Sequence, residues 1–529
     1  MNVKTKLSTM ARAAMVLLLT LLAAGVAWAE DVDIGTVADW NAFAARVNDG
    51  ETTLNGRLTA NLDFSDETFT VVGTASNRFC GTFDGAGHTI MDITVNKSGD
   101  ISANRQGLFG TIGSGGVVKN VTLSNSSFAG WDYVGGIAAY NQGGTVTRCH
   151  VTSTVTIGTT TSSKQHHGGI VGYNSSIYST VSYCTSAATV TNNGLTACHN
   201  FGGVVGSNMG GTIEHCLAVG VTVSAVVNSG AVVGSNISTL SCNYYGDCTV
   251  GEATSNIGTN NGDVIPDDGA VAATILYDNG PMADSNTAII GGITNPANIA
   301  LYGRSFHKDG KWHTLCLPFN ATKTGPLAGA TIMELDVAGT HGTGQQTGFD
   351  ANSDTLYLFF TEVNSITAGK PYIVNWGRYD RDTEDDIFSP VFSGVNVTAT
   401  TPSTVTASNI GLKTVDFIGN YNPVLLAKGD KSVHYFDTGV DLIHYPKEAD
   451  YNLGACRAYF HVDLTDKEQV HVYILGFGDD IVTGLSPVFA PSSKEGSDDW
   501  FTIDGRLLNG QPTAPGIYIN NGRKIAIVY

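Results

Sequence analysis

Charge is scarce in this 529-residue chain. Only 14% of its residues are Asp, Glu, Lys or Arg, against roughly a quarter in an ordinary soluble protein. Basic residues are the scarcer kind, 28 against 47 acidic, for a formal charge of −19, or −22 without the first 29 residues. Such a surface repels phosphate backbones and anionic lipid, which argues against nucleic acid as a partner. Long apolar runs are lacking too. The longest, Ala13 to Ala24, follows Lys4 and Lys6 and precedes Ala27-Trp28-Ala29, the pattern of a secretory signal peptide over residues 1–29. It is short for a membrane span, no other segment reaches about 18 apolar residues, and no lipid-bearing cysteine follows the cleavage site. The mature chain is therefore expected to be secreted or displayed on the outer cell surface, with no transmembrane segment.

Proline is absent from residues 107–246, and so is any 3.6-residue apolar period. Helical repeats are thereby excluded, and Val, Ile, Thr, Ser and Gly predict short strands joined by turns. One phrase recurs there: Gly107-Leu-Phe-Gly-Thr, Gly136-Ile-Ala-Ala-Tyr-Asn, Gly169-Ile-Val-Gly-Tyr-Asn, Gly203-Val-Val-Gly-Ser-Asn and Ala231-Val-Val-Gly-Ser-Asn. Leu108, Ile137, Ile170, Val204 and Val232 mark steps of 29, 33, 34 and 28 residues, a solenoid period. A second phrase follows each first one, ending in Asn120, Cys149, Cys184, Cys216 and, shortened, Cys242. Coils stacked about 4.8 Å apart reward identical side chains one above the next. Two structural ladders are therefore expected, Asn141, Asn174, Asn208 and Asn236 in one column and Cys149, Cys184 and Cys216 in another, with Asn120 preceding the cysteines.

Gly-Gly-[Ile/Val]-Val-Gly-x-Asn followed by [Ile/Val]-x-x-Cys resembles the GLUG motif of bacterial surface proteins, and Phe79 to Ile90 is similar to the segment that precedes it there. The resemblance spans about residues 33–250 and implies a right-handed parallel β-helix. It says almost nothing about function.

Nine cysteines in an exported chain raise the question of disulfides. Three in one column, with parallel Cβ vectors, offer poor disulfide torsion and read as buried thiols acting as small hydrophobes. Cys242 and Cys248 are the better candidates for a bridge. No metal site is expected, because His150 and His215 should alternate to the strand face opposite the thiols.

Val37, Trp40, Ala44 and Val47 predict an amphipathic helix, opened by Thr36-x-x-Asp39 and stopped by Gly50, that caps the first coil. Asp84-Gly-Ala-Gly-His88 reads as a glycine turn rather than a catalytic pair. The β-helix with its cap is assigned to residues 30–265 and a connecting segment to 266–298. Residues 299–478 change grammar: Trp312 to Phe319, Thr355 to Phe360, Lys370 to Val374, Val415 to Ile418 and Val470 to Leu475 are β-branched and aromatic runs between turn clusters, an antiparallel β-sandwich pattern. Asp350-x-Asn352-x-Asp354 lacks the glycine and glutamate of a calcium loop, and Arg378 to Asp386 reads as a charged loop. A Ser/Pro-rich linker, 479–497, precedes a small C-terminal β unit, 498–529. With Asp504-Gly-Arg506 and Gly516-Ile-Tyr518, that unit resembles the sorting domain of type IX secretion.

No cofactor and no catalytic residue are expected. In the repeats the charged side chains are Lys119, Asp132, Arg148, Lys164 and Glu214; Asp132 and Glu214 fall at different offsets in separated coils, whereas glycoside chemistry needs paired groups on one face. An adhesin-like binding protein is thus favoured over a β-helix polysaccharide lyase or hydrolase. A purely architectural surface-layer or fimbria-like component gives the same pattern. For a contact with a host or environmental glycan or protein, the expected surface is Tyr140 and Tyr173, stacked one coil apart before the Asn ladder, with His166 and His167 in a long loop nearby. The bland alternative is that the tyrosines merely cover the neighbouring strand.

Overall fold

A computed structural model describes residues 31–477 apart from 98–103, 160, 162–163, 226, 252–258, 261–262, 265–268, 281, 342–343, 351–354, 378–385, 410–411, 438–441, 465–469 and 471. It also describes strands within 480–527. The segments read as signal peptide and linker lie outside the described residues, apart from Asp480–Gly484, which is a strand. The chain divides into two compact units, Met1–Ala273 and Thr274–Tyr529.

The first unit is a parallel β-helix. The four complete coils each run through five short strands that belong to five parallel sheets; the coil from Ala138 visits Ala138–Asn141, Thr145–Thr147, His150–Val151, Thr156–Thr159 and Gln165–Gly168 before Val171–Asn174 starts the next. Pairing is in register, so columns form. Phe83, Val118, Val146, Val181 and Ile213 stack directly and are all fully buried, which is the core that the period-2 pattern of the repeats supplies. There is no room for a side chain at Gly202 and Gly203, although Ala231 fills the position equivalent to Gly203 one coil on. A Cβ on Gly202 would collide with the carbonyl oxygen of Val205, and one on Gly203 with that of Ala231.

The helix Val37–Asn48 sits at the first coil. Thr36 caps it through a reciprocal box with Asp39, and Trp40, Phe43, Ala44 and Val47 are buried. Trp40 meets Phe64, Phe69, Phe83 and Phe109, and its indole donates to the Thr70 carbonyl at 2.9 Å.

The second phrase needs a one-residue correction. Lys119 pairs with Thr147, so Asn120 lies opposite Arg148 and Val121 opposite Cys149. At the far end Leu240 pairs with Ile213, which puts Cys242 opposite His215 and Asn243 opposite Cys216. The phrase is not shortened there. The cysteine column is Val121, Cys149, Cys184, Cys216 and Asn243, while Asn120, Arg148, Tyr183, His215 and Cys242 form a corner column with φ between 52° and 56°. Four of those five are neither Gly nor Asn, so their left-handed backbone leaves no mark that residue type could show.

The expected bridge is not present either. Cys242 is exposed and free at its corner, and the free Cys248 thiol donates to the carbonyls of Ala218 and Gly246.

The second unit consists mainly of antiparallel sheets. Its largest sheet runs His313–Cys316, Pro371–Trp376, Ala330–Leu335, Thr355–Val363, Gly348–Asp350, Leu412–Gly419, Ala458–Val462, Val433–Asp437 and Leu442–His444. Val472–Phe477 joins Thr355–Val363 in parallel. Among the described residues its apolar cores include one around Phe306, Tyr372 and Trp376, another around Phe360, Phe417 and Phe460, and a small third of Leu426, Tyr435 and Leu453. The span read as a connector holds order of its own: Ala270–Ala272 extends a β-helix sheet, and Thr274–Tyr277 with Ala297–Tyr302 starts the second unit. Among the described residues of the tail, four short strands form one antiparallel sheet.

Candidate functional site

The two tyrosines singled out by the sequence are register partners. Tyr140 lies opposite Tyr173 on adjacent coils, their ring centroids 5.0 Å apart and tilted by 46°. The column is short: Thr111 precedes Tyr140, and Ser207 and Ser235 follow Tyr173.

Both histidines require correction. They lie on the strand Gln165–Gly168, not in a loop, and alternation sends them to opposite faces. His166, at φ 67°, turns outward and is half-buried; its Nδ1 hydrogen-bonds the Ser207 hydroxyl at 2.6 Å. His167 points into the solenoid, fully buried against Phe201 at 4.4 Å, with no hydrogen-bond partner for either ring nitrogen among the described residues. It can touch no ligand on the outside. Burial lowers the His166 pKa to about 4 and the His167 pKa to about 3, so both imidazoles are neutral at pH 7.

Two further residues of this surface lie outside the glycine phrases. Tyr133 stacks on His166, centroids 5.1 Å apart and planes within 4°, and meets Tyr140 and Tyr173 edge-on at 5.2 and 5.4 Å. Arg105 lies over the Tyr140 ring at 4.7 Å and donates to the Thr111 hydroxyl at 3.2 Å. Burial raises the Tyr133 and Tyr173 phenols above their usual range. Tyr133 occupies a second left-handed corner column with His166, Asn200 and Asn228. That corner falls three residues before each of the phrases that begin at Gly136, Gly169, Gly203 and Ala231, so the repeat marks its position although the residue type changes from coil to coil.

Beyond Tyr133 the edge continues through an ion pair and a cation–π contact. Lys164 Nζ lies 3.8 Å from the Asp132 carboxylate and 3.6 Å from the Trp131 ring, and Asp132 also accepts from the Gln165 amide. Asp132 is thus committed to structure. Glu214 lies on a different sheet, between Ser182 and Ser241. Asp84 and His88 do not combine: Asp84 pairs with Lys119 at 3.2 Å, and Ala86 and Gly87 form a left-handed turn. Among the described residues no group of three His, Cys, Asp or Glu side chains could hold a metal ion.

The ladder residues are brought together. Asn141 Nδ2 donates to Asn174 Oδ1 at 2.9 Å, Asn174 to Asn208 at 2.9 Å and Asn208 to Asn236 at 2.7 Å, all four buried. Cys149, Cys184 and Cys216 are buried free thiols, each donating to carbonyls of its own and the preceding coil. Of the loop Asp350-x-Asn352-x-Asp354 only Asp350 is described, at the end of the strand Gly348–Asp350. Of the charged run, residues 378–385 lie outside the described residues, and Asp386 pairs with His307 at 2.7 Å.

The family model of the GLUG motif matches residues 132–156, the coil that starts at Asp132 and carries Tyr133, Tyr140, Asn141 and Cys149. The chain therefore carries a GLUG motif on a parallel β-helix. Halomucin of Haloquadratum walsbyi is 35% identical over 153 residues, 26% of this chain. The match spans 2% of halomucin's own length. A solved Bacteroides ovatus protein, described provisionally as an immunoglobulin A1 protease, is 18% identical, covering 45% of this chain and 80% of that one at a TM-score of 0.30. A likeness at that score carries no argument about fold or chemistry. Among the described residues no helix is long and apolar enough to cross a membrane.

Proposed function

We propose that this is a secreted or surface-displayed, adhesin-like protein of a Gram-negative bacterium, without catalytic activity, which contacts glycan or protein through the outer face of its β-helix. The observation that carries this reading is the strip of Tyr133, Tyr140, Tyr173 and His166, four half-buried rings in mutual contact on a rigid stack of coils. Aromatic rings fixed on strands are suited to apolar sugar faces, and they bind with little loss of side-chain freedom. The likeness of 153 residues to the protein named halomucin supports a surface or secreted place. The reading without catalysis rests on Asp132, held by Lys164 and the Gln165 amide, and on Glu214, which lies on another sheet.

The test is a glycan array probed with the full mature chain and with its Tyr140→Ala/Tyr173→Ala variant. Signals lost in the folded variant support the strip as the contact. Equal signals from both remove it.

Delivery belongs to the same proposal. The signal peptide at 1–29 would carry the chain across the inner membrane, and residues 498–529, similar in pattern to a type IX sorting domain, would carry it across the outer one. Deleting Asp498 to Tyr529 and fractionating the cells tests this. A folded truncate retained in the periplasm supports the address, and unchanged surface exposure rules it out.

A further inference from the structure

At the aromatic strip this acidic chain presents a cation. The Arg105 guanidinium lies over Tyr140 and donates to the Thr111 hydroxyl, and among the described residues no carboxylate lies within ion-pair distance of it. Lys164, the next cation along this edge, is different, since Asp132 accompanies it. The strip therefore combines three phenols and a neutral imidazole with a positive charge at its end that no described carboxylate offsets. Thr111 and Ser207, which bracket the tyrosine column, are fully buried and offer a ligand no polar group. A guanidinium fixed over a ring keeps its remaining N–H donors available in a planar fork, the geometry that suits a carboxylate or a sulfate.

We propose that the strip takes an acidic sugar: rings of the ligand lie along Tyr140 and Tyr173, and a carboxylate or sulfate on one residue reaches Arg105. This deepens the proposed function and rests on it. A neutral glycan would leave the guanidinium without a counter-charge, so affinity should follow the anionic group. The net charge of −22 without the first 29 residues disfavours acidic ligands in general, so tight binding of one calls for a local cation such as Arg105.

Three oligosaccharides titrated calorimetrically into the full mature chain separate the possibilities: hexagalacturonate, the same hexamer with its carboxylates reduced to alcohols, and a sulfated galactan hexamer. The wild type should bind at least one anionic hexamer about tenfold more tightly than the neutral one. Arg105→Gln should reduce that ratio to near one, and Arg105→Lys, which keeps the charge, should restore part of it. Which anion prefers the site distinguishes uronate from sulfate. Equal binding of neutral and anionic hexamers, or a ratio unchanged by Arg105→Gln, overturns the acidic-sugar assignment while leaving the strip as a sugar site. Binding of no hexamer, or binding indifferent to Tyr140→Ala, overturns both. A Tyr183→Ala variant, altered at the other corner column, serves as the folded control.

Discussion

Asn141 donates a hydrogen bond to Asn174 across one coil step, Nδ2 to Oδ1 at 2.9 Å, and Asn174 donates in the same way to Asn208. Asn174 thus both gives and receives along the stack. Replacing it with Ala leaves the Asn141 donor and the Asn208 acceptor each short of a buried partner, at an expected cost of about 1 to 3 kcal/mol. Urea unfolding of wild type and N174A measures it; coincident curves would remove the ladder as a stabilising element.

The thiols should divide by position. Burial pushes Cys149 and Cys216 well above the usual thiol range, and Cys242 is exposed. Native protein treated with iodoacetamide should be alkylated first at Cys242, with Cys149, Cys184 and Cys216 modified only after denaturation. Peptide mapping would read the order, and a Cys242 to Cys248 disulfide in the untreated protein would contradict it.

Acid should weaken the fold through histidine. His167 and His434 are fully buried, and burial lowers each pKa from 6.5 to about 3. The unfolded chain binds these protons from about pH 6.5 downward whereas the folded chain refuses them until about pH 3, so stability falls as pH falls through that window. Each histidine contributes a slope of up to about 1.4 kcal/mol per pH unit. Stability measured at pH 7, 5.5 and 4 should decline less steeply in His167→Phe than in wild type; parallel declines would mean that this imidazole is protonated in the folded chain.

Trp40 should matter more than any other residue of the cap. Its ring is fully buried among four phenylalanines at the first coil, and Trp40→Ala should cost about 3 to 5 kcal/mol. Differential scanning calorimetry would show it as a lowered Tm for the unit that contains the coils; an unchanged Tm would mean that the cap and the coils unfold separately.

How much of this is legible in the sequence depends on the kind of signal. The cap is legible to the residue, because Thr36, Asp39 and Trp40 each have a local reason for their place. The Asn column is legible because identical residues recur at one offset. The cysteine column is misread by one residue at both ends, since Asn120 and Cys242 look like members of a series that Val121 and Asn243 in fact complete. Chemical likeness stands in for register there, and only pairing can separate them. His167 is misplaced for a related reason: two adjacent histidines look alike, yet strand alternation makes one a surface group and the other core. Arg105 and Tyr133 fall outside the glycine phrases; Tyr133 keeps the fixed offset of its corner column, but the residue type varies there, so the offset alone gives no reason to single it out.

The in-register stacking has a mechanical side. Coils are held to one another by strand pairing along the stacking direction, and each Asn column bond follows the same line. Tension applied between the two ends of the β-helix would therefore load one coil boundary at a time instead of shearing a whole sheet. Each coil released frees the 28 to 34 residues between successive ladder positions, about 10 nm of extended chain. A single molecule stretched between its ends would lengthen in discrete steps of that size, a spring that yields by counted turns.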